Sequence, residues 1–206
     1  IEEGYVKIIV TRGSDDHNFT IPARSALQPN VLVYGKPIDL NAIEKVQSGV
    51  NCITLDDDRG HHCDILSLNQ LNNMMARAEA QKKNCYDAVF IKDGLLTEAS
   101  HSNVCIVKAG VIWTPATNEH MIRGVTRSLV LTRAAPSAGV TSIDEASEPV
   151  RFEDMMTAEE VFLTNSQDGI IPVLSIDGNP IGGGKVGDVT KKIQEHYAHL
   201  MEDGLP

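Results

Sequence analysis

Residues 97–104 read TEASHSNV and residues 123–127 read RGVTR, and these two segments decide the fold. Glu98 ends a predicted strand among small polar residues, and Gly124 precedes a predicted helix. A helix start carries unpaired N–H groups and a partial positive charge, which suit a phosphate. Taken alone, Thr126 is more typical of a helix cap and Glu98 of an exposed acid, so the surrounding motifs have to decide between these interpretations.

The spacing of apolar residues predicts strands and helices on both sides of these segments. A third polar loop, Asn165 with Ser166, follows the apolar run EVFLT. A helix over residues 67–83 is predicted with Ser67 as its N-cap. Predicted strands are 5–12 (buried), 30–34, 46–54, 86–92, 95–98, 103–108, 111–114, 160–164 and 170–176; further helices are 125–135, 152–157 and 186–201. Because strands and helices intermix, the fold class is α/β or α+β.

The composition is that of a globular chain of 206 residues, enough for one large domain or two small ones. The net charge of −10 disfavours nucleic acid and acidic membrane surfaces as partners, since a polyanion is repelled. No apolar run is long enough to span a bilayer, and no charged-then-apolar leader is visible. Four cysteines without CxxC spacing disfavour zinc sites and predict reduced, mostly buried thiols in a cytoplasmic protein.

The order of the motifs resembles the signature of class IV pyridoxal-phosphate (PLP) aminotransferases. TEASHSNV precedes VIWTP (111–115) and RGVTR, while TRG (11–13), CDILSLN (63–69) and residues 160–173 extend the likeness over nearly the whole chain. This family includes D-amino-acid aminotransferases, branched-chain aminotransferases and aminodeoxychorismate lyases. The resemblance implies a D-amino-acid aminotransferase-like fold, a mixed sheet or pseudo-barrel with flanking helices. It also implies a PLP-dependent homodimer acting on amino acids and keto acids.

The resemblance further implies a role for each residue of the polar loops. Glu98 would pair with the pyridine nitrogen and keep it protonated, so that the ring withdraws electrons. Val125 and Thr126 would hold the phosphate through backbone N–H groups and a hydroxyl. The remaining loop residues would surround these two ends: Ser102 and Asn103 near the ring hydroxyl or a neighbouring water, and Asn165 and Ser166 on the phosphate or substrate side.

The lysine motif departs from the family, because residue 66 is leucine. A family lysine there is joined to the cofactor and moves the proton in transamination, so Leu66 predicts PLP binding with crippled turnover. Lys92 and Lys108 lie beside hairpin turns and are expected to face solvent, which leaves mid-strand Lys7 as a remote substitute. A natural inactive homologue, an engineered substitution and a modified lysine written as leucine are the three explanations. Arg59, just before the motif, matches an arginine that supports the cofactor region; a surface arginine fits equally well.

The loop after Arg12 departs from the family at the residues for the substrate carboxylate. D-amino-acid aminotransferases place an arginine and a histidine there, and His17 and Phe19 stand at those places. Asp15 and Asp16 would repel a carboxylate, which weakens the D-amino-acid assignment. The candidate substrate residues are His17, for which a solvated loop histidine is an equal alternative, and Arg12. The tripeptide TNS at 164–166 leans towards the lyase branch.

The chain opens with IEEGY and runs directly into a strand, where family members carry an N-terminal domain that closes the site. Residues 1–206 are therefore predicted to be the large cofactor-binding domain, with residues 1–30 near the inter-domain region. Three hypotheses follow. The chain is an aminotransferase or related lyase, or an inactive homologue that binds PLP or another phosphate ligand, or a structural fragment kept for folding or oligomer contacts.

Overall fold

The computed structural model describes residues 4–13, 28–140, 143–144 and 148–202, with the backbone alone at 143–144. These residues fall into two units, Ile1–Asn41 and Ala42–Pro206. None of the helices within the described ranges is both long enough and apolar enough to cross a membrane.

Unit 1 contains a two-stranded antiparallel ribbon. Strand β1 (Gly4–Thr11) pairs with β2 (Asn30–Pro37) along the full length of both. The predicted strand over residues 5–12 is confirmed, but its predicted burial is wrong, because no residue of either strand is buried. A two-stranded ribbon provides no second layer of its own to cover its faces. Its large apolar side chains therefore stay exposed: Val6, Ile8, Val10, Val31, Leu32 and Val33.

Unit 2 is built on a mixed sheet of nine strands among the described residues. Its strands are β3 (Val50–Asp56), β4 (Asp87–Lys92), β5 (Leu95–Ala99), β6 (Asn103–Lys108), β7 (Val111–Trp113), β8 (Ile143–Asp144), β9 (Glu160–Asn165), β10 (Gly169–Ile176) and β11 (Asn179–Pro180). Its helices are α1 (Leu40–Gln47, begun in unit 1), α2 (Leu71–Lys82), α3 (Val125–Leu129), α4 (Ala135–Ser137), α5 (Phe152–Met156) and α6 (Asp188–Glu202). A π-helical turn, Val130–Ala134, joins α3 to α4.

The sheet follows the order β5-β4-β3-β10-β9-β6-β7-β8, with β11 paired to β10. Strand β3 runs parallel to both β4 and β10, whereas β9 is antiparallel to both β10 and β6. The turn between β5 and β6 is closed by the Ala99 N–H, which donates to the Ser102 carbonyl at 2.7 Å. This turn leads the edge strand back to β6 and curls the sheet into a half-barrel, so the predicted mixed fold is confirmed.

The two faces of the sheet bury separate cores because side chains alternate along each strand. On β9, Val161 and Leu163 belong to one core, whereas Phe162 belongs to the other, together with Ile193 of α6. The strands that carry the polar loops therefore belong to a sheet that is covered by a buried core on each face.

Two local predictions are corrected at the helices. The helix predicted over 67–83 begins at Leu71 after Gln70, because the Ser67 hydroxyl instead accepts the Asn69 N–H at 3.2 Å in a tight turn. Residues 46–54 are not one strand: α1 ends at Gln47, and β3 starts at Val50.

The four cysteines are free, as predicted. Cys52 and Cys105 are buried, while Cys63 and Cys85 are half-buried, so two rather than most lie in the core.

Candidate active site

A cavity of about 480 Å³ lies between the loop after β3, the start of α2 and the end of β5. Glu98 and Arg59 form its charged wall, and Ile122 contributes from the loop before α3. The lining also contains His61, His62, Cys63, Ile65, Ser67, Asn69, Gln70, Leu71, Asn72 and Asn73. This volume is in the range of small-molecule sites.

Glu98 is a buried acid with 4% of its surface exposed. Arg59 donates to its Oε1, the Ile122 N–H donates to Oε2 at 3.0 Å, and Asn103 Nδ2 lies 3.3 Å from Oε2. Burial raises the pKa of Glu98 to about 7, against the opposing effect of the Arg59 charge. Glu98 therefore changes charge near neutral pH, which suits a group that holds a proton on a ligand nitrogen.

Arg59 is fixed from several sides and is not a surface residue, since 5% of its side chain is exposed. Its Nε lies 2.9 Å from Asp57 Oδ1, and its Nη2 lies 2.7 Å from Asp57 Oδ2 and 2.9 Å from the His120 carbonyl. The guanidinium also stacks 4.3 Å from the ring centre of Phe90. Burial alone would lower the pKa of Arg59, but Asp57 and Glu98 outweigh it and raise that pKa. Arg59 thus stays charged and holds Glu98 in place.

The start of α3 lies directly beside the Glu98 cluster. Gly124 caps the helix without a side-chain hydrogen bond, so the first-turn N–H groups of Val125 and Thr126 are left without intrahelical acceptors. A Cβ at Gly124 would stand 2.1 Å from Asn103 Oδ1, so the position requires glycine. Asn103 Nδ2 also donates to the Ile122 carbonyl at 2.8 Å. Asn103 therefore connects Glu98 to the helix start.

Ser102 and Asn165 belong to a second polar network. Asn165 Nδ2 donates to Ser102 Oγ at 3.1 Å and to the Tyr86 hydroxyl at 3.0 Å, and Asn165 Oδ1 accepts the Asp168 N–H at 2.7 Å. Ser102 in turn donates to Asp87 Oδ2 at 3.2 Å. Both side chains are thus engaged with the protein, and they fix the two loops that carry them.

The residues Asp57, Tyr86, Asp87 and Asp168 were not expected from sequence. Tyr86 donates to Asp168 Oδ2 at 2.5 Å, and burial, with Asp168 beside it, raises the pKa of Tyr86. A signal existed for Asp87, an acid directly before the apolar run AVFI of β4; none existed for Asp168. Asp57 precedes Arg59 by two residues, which is a usable hint of a local ion pair.

The remaining predicted residues lie outside these networks. Leu66 is 75% exposed and, unlike its neighbours Ile65 and Ser67, is not part of the cavity lining. Ser166 is exposed at the β9–β10 turn. Arg12 is exposed in unit 1, and His17, together with Asp15, Asp16 and Phe19, falls outside the described residues.

The residues present fit PLP at its two ends but not at its reactive carbon. Glu98 offers a buried carboxylate for the ring nitrogen, and the first-turn N–H groups of α3 after Gly124 offer donors for a phosphate. The cavity lining extends to Ile122, three residues before Val125. Leucine at position 66 has no nitrogen, so the covalent link has no partner there.

Comparison with known proteins places these features in context. A family model described as amino-transferase class IV matches residues 1–176. The D-alanine aminotransferase of Bacillus licheniformis is 38% identical over 192 residues, which are 93% of this chain and 65% of that protein. The D-alanine aminotransferase of Staphylococcus aureus (strain N315) is 33% identical over 202 residues, which are 98% of this chain and 70% of that protein. The chain thus spans only part of the length of these relatives.

Solved structures share the fold. The branched-chain aminotransferase from Thermoproteus uzoniensis with norvaline matches with a TM-score of 0.81 at 26% identity, over 95% of this chain and 64% of that one. The branched-chain amino acid aminotransferase from Thermobaculum terrenum in its PLP form matches with a TM-score of 0.81 at 21% identity, over 97% and 64% of the two chains.

Proposed function

Since this chain belongs to the class IV aminotransferases, we propose that it binds PLP beside Glu98 and that Leu66 restricts it to non-covalent binding with little turnover. One observation carries the proposal. Glu98 is held by Arg59 and Asn103, and Asn103 also packs against the glycine that starts α3. Asn103 therefore contacts both the acid proposed for the ring nitrogen and the helix start proposed for the phosphate.

Each residue of the cluster has a defined task in this proposal. When bound, PLP supplies an electron sink for bonds at the α-carbon of an amino acid. Glu98 holds the proton on the ring nitrogen, and Arg59 keeps the Glu98 carboxylate oriented. Val125 and Thr126 bind the phosphate through N–H groups at the positive end of α3.

Leu66 removes the group that would move the substrate proton. Leucine has neither a nucleophile nor a base, so the chain lacks the general base that the family chemistry needs at this position. Lys7 lies in unit 1, and Lys92 and Lys108 follow their strands into hairpin turns. None of the three is in the lining of the cavity beside Glu98.

The substrate pair to test first is D-alanine with a keto acid, because the two curated relatives described above are D-alanine aminotransferases. The lyase alternative rests on residues 164–166, but the Asn165 side chain there is engaged with Ser102, Tyr86 and Asp168. We therefore favour an amino acid or keto acid ligand, in a cytoplasmic homodimer of the family type.

The test is PLP titration followed by borohydride reduction and peptide mass analysis. The chain with Leu66 should bind PLP reversibly and carry no reduced adduct at residue 66, whereas Leu66→Lys should carry one there. Leu68→Lys is the matched control, because Leu68 is similarly exposed at 67% and lies two residues away. A chain that takes up no PLP, or equal labelling of the two variants, contradicts the proposal.

A further inference from the structure

A second cavity, of about 460 Å³, is lined in part by Thr97 and His120, both of which accept a hydrogen bond from Arg59 of the first cavity. We propose that it is a binding site for a small apolar monocarboxylate, such as an aryl or branched aliphatic acid. Its lining combines Leu95, Leu96, Pro115, Ala116, Pro149 and Val150 with Lys92, Asp93, Thr97, Asn118 and His120. The site takes no residue from the lining of the proposed PLP cavity, so it stands or falls apart from the proposed function.

The floor of this second cavity is apolar and belongs to the protein core. Leu96 is 4% exposed and Val150 is 1% exposed, and both belong to the same buried cluster. The Leu96 N–H donates to the Val150 carbonyl at 2.9 Å, which holds the two sides of the floor together. A preformed apolar floor of this kind suits a hydrocarbon or aromatic body.

Lys92 supplies the charge that selects a carboxylate. The sequence predicted that Lys92 faces solvent, but the side chain is half-buried and lines this cavity. Within the described ranges Lys92 makes no ion pair, whereas Lys108, its equivalent before the next hairpin turn, binds Asp154 at 2.8 Å. A half-buried ammonium without a counter-ion favours an anionic ligand. The exposed Asp93 beside it disfavours ligands with more than one negative charge.

Two polar residues in the lining of the second cavity are connected to Glu98 by hydrogen bonds through Arg59. The His120 carbonyl and Thr97 Oγ1 accept from Arg59 Nη2 at 2.9 and 3.3 Å, and Arg59 donates to Glu98. His120 Nδ1 is buried without a hydrogen-bond partner in the described part of the chain. A ligand beside Thr97 and His120 would therefore touch two of the residues that position Arg59.

The test uses phenylacetate as the probe and ¹H–¹⁵N spectra of the chain as the readout. Saturable shifts are expected at Leu95, Thr97 and Ala116, and not at Asn72 of the first cavity. The neutral isostere 2-phenylethanol should bind at least about tenfold more weakly, because it lacks the charge that pairs with Lys92.

Variants at position 92 test whether the Lys92 ammonium group supplies the charge that binds the carboxylate. Lys92→Met should weaken phenylacetate binding at least about tenfold, Lys92→Arg should retain it, and the exposed control Lys83→Met should not change it. Urea unfolding of each variant identifies any variant that fails to fold. If Lys92→Met does not fold, the test rests on Lys92→Arg, which keeps the charge, and on the comparison of phenylacetate with 2-phenylethanol. No saturable shift at millimolar phenylacetate, equal binding of 2-phenylethanol, or unchanged binding in folded Lys92→Met overturns the proposal.

Discussion

At the scale of single residues, Glu98 and Arg59 define what this site can do. Burial favours the neutral form of Glu98, while Arg59 favours the charged form, and the balance raises the pKa of Glu98 to about 7. Asp57 binds the other edge of the Arg59 guanidinium and keeps it in place beside Glu98. Arg59 and Thr97 lower the pKa of Asp57 against the effect of burial. Removal of the Arg59 charge would leave the Asp57 and Glu98 carboxylates buried without their common counter-charge.

The titration of Glu98 predicts a pH dependence of folding. The pKa of Glu98 in the folded state, about 7, exceeds the ordinary value of 4.5. Between these two pH values the folded state therefore holds a proton that the unfolded state has released. This contribution is fully present below about pH 4.5 and is lost as the pH rises through 7, at most about 3 kcal/mol at 1.36 kcal/mol per pKa unit. Glu98→Gln should remove this slope in urea unfolding curves between pH 4.5 and 8. The exposed control Glu195→Gln should retain it, and parallel curves for Glu98→Gln and the natural chain would refute the assignment.

At the scale of elements, the site depends on how α3 meets β6. Helix α3 continues through a π-helical turn into α4, and Val130 and Leu131 of that turn pack into the core beneath the sheet. Packing along this length holds the short α3 in place, since so short a helix has little stability of its own. Gly124 then allows Asn103 to approach the helix start closely.

Gly124→Ala tests this contact. The new Cβ would stand 2.1 Å from Asn103 Oδ1, so Asn103 must move and lose its bonds to Glu98 and to the Ile122 carbonyl. We expect the Kd for PLP to rise by about tenfold or more, an effect of roughly 1.4 kcal/mol, in a fluorescence titration. Ser128→Ala in the same helix is the control and should bind as the natural chain does. Unchanged PLP affinity in folded Gly124→Ala would show that Asn103 does not link the two ends of the site.

At the scale of the whole molecule, the chain consists of two units with unequal cores. All three buried clusters lie in unit 2, whereas the described strands of unit 1 bury no residue. The curated relatives extend beyond the matched region, since the chain covers 65% and 70% of them. That the protein is a homodimer remains a prediction.

A chain that begins at Ile38 should keep the stability of unit 2. Because the ribbon adds no buried residue, we expect the thermal midpoint to stay within about 4 °C of the full chain, the shift that 1 kcal/mol gives at this size. Removal of residues 188–206 is the contrasting deletion, since Ile193 and Thr190 are almost completely buried, and it should abolish cooperative unfolding. Calorimetry of the two shortened chains gives both thermal midpoints. A large drop in the midpoint of the chain that begins at Ile38 would mean that the ribbon stabilises the core of unit 2.

The sequence by itself determined the family and most strands, and it singled out Glu98 and the start of α3 as the candidate cofactor-binding residues. These features are local: strand alternation along residues 160–164, the glycine before α3 and the order of TEASHSNV and RGVTR are all readable within a few residues. It also located Leu66, because a missing lysine is visible without coordinates. The predicted helix start at Ser67 is wrong because the Ser67 hydroxyl takes part in a tight turn. Helix α1 was missed because its eight residues form only about two turns, which is short for a periodic pattern.

Only the tertiary structure decided how these residues are connected. Tyr86 and Asp168 are 82 positions apart, and Arg59 reaches Glu98 across 39, so neither contact has a sequence signal. The pKa of Glu98 likewise depends on burial by distant strands. The same is true of Lys92, which a hairpin pattern assigns to solvent but which lines a cavity formed with Pro115 and Val150. Chain geometry fixes local periodicity, whereas burial and pairing of charges arise only when distant segments pack together.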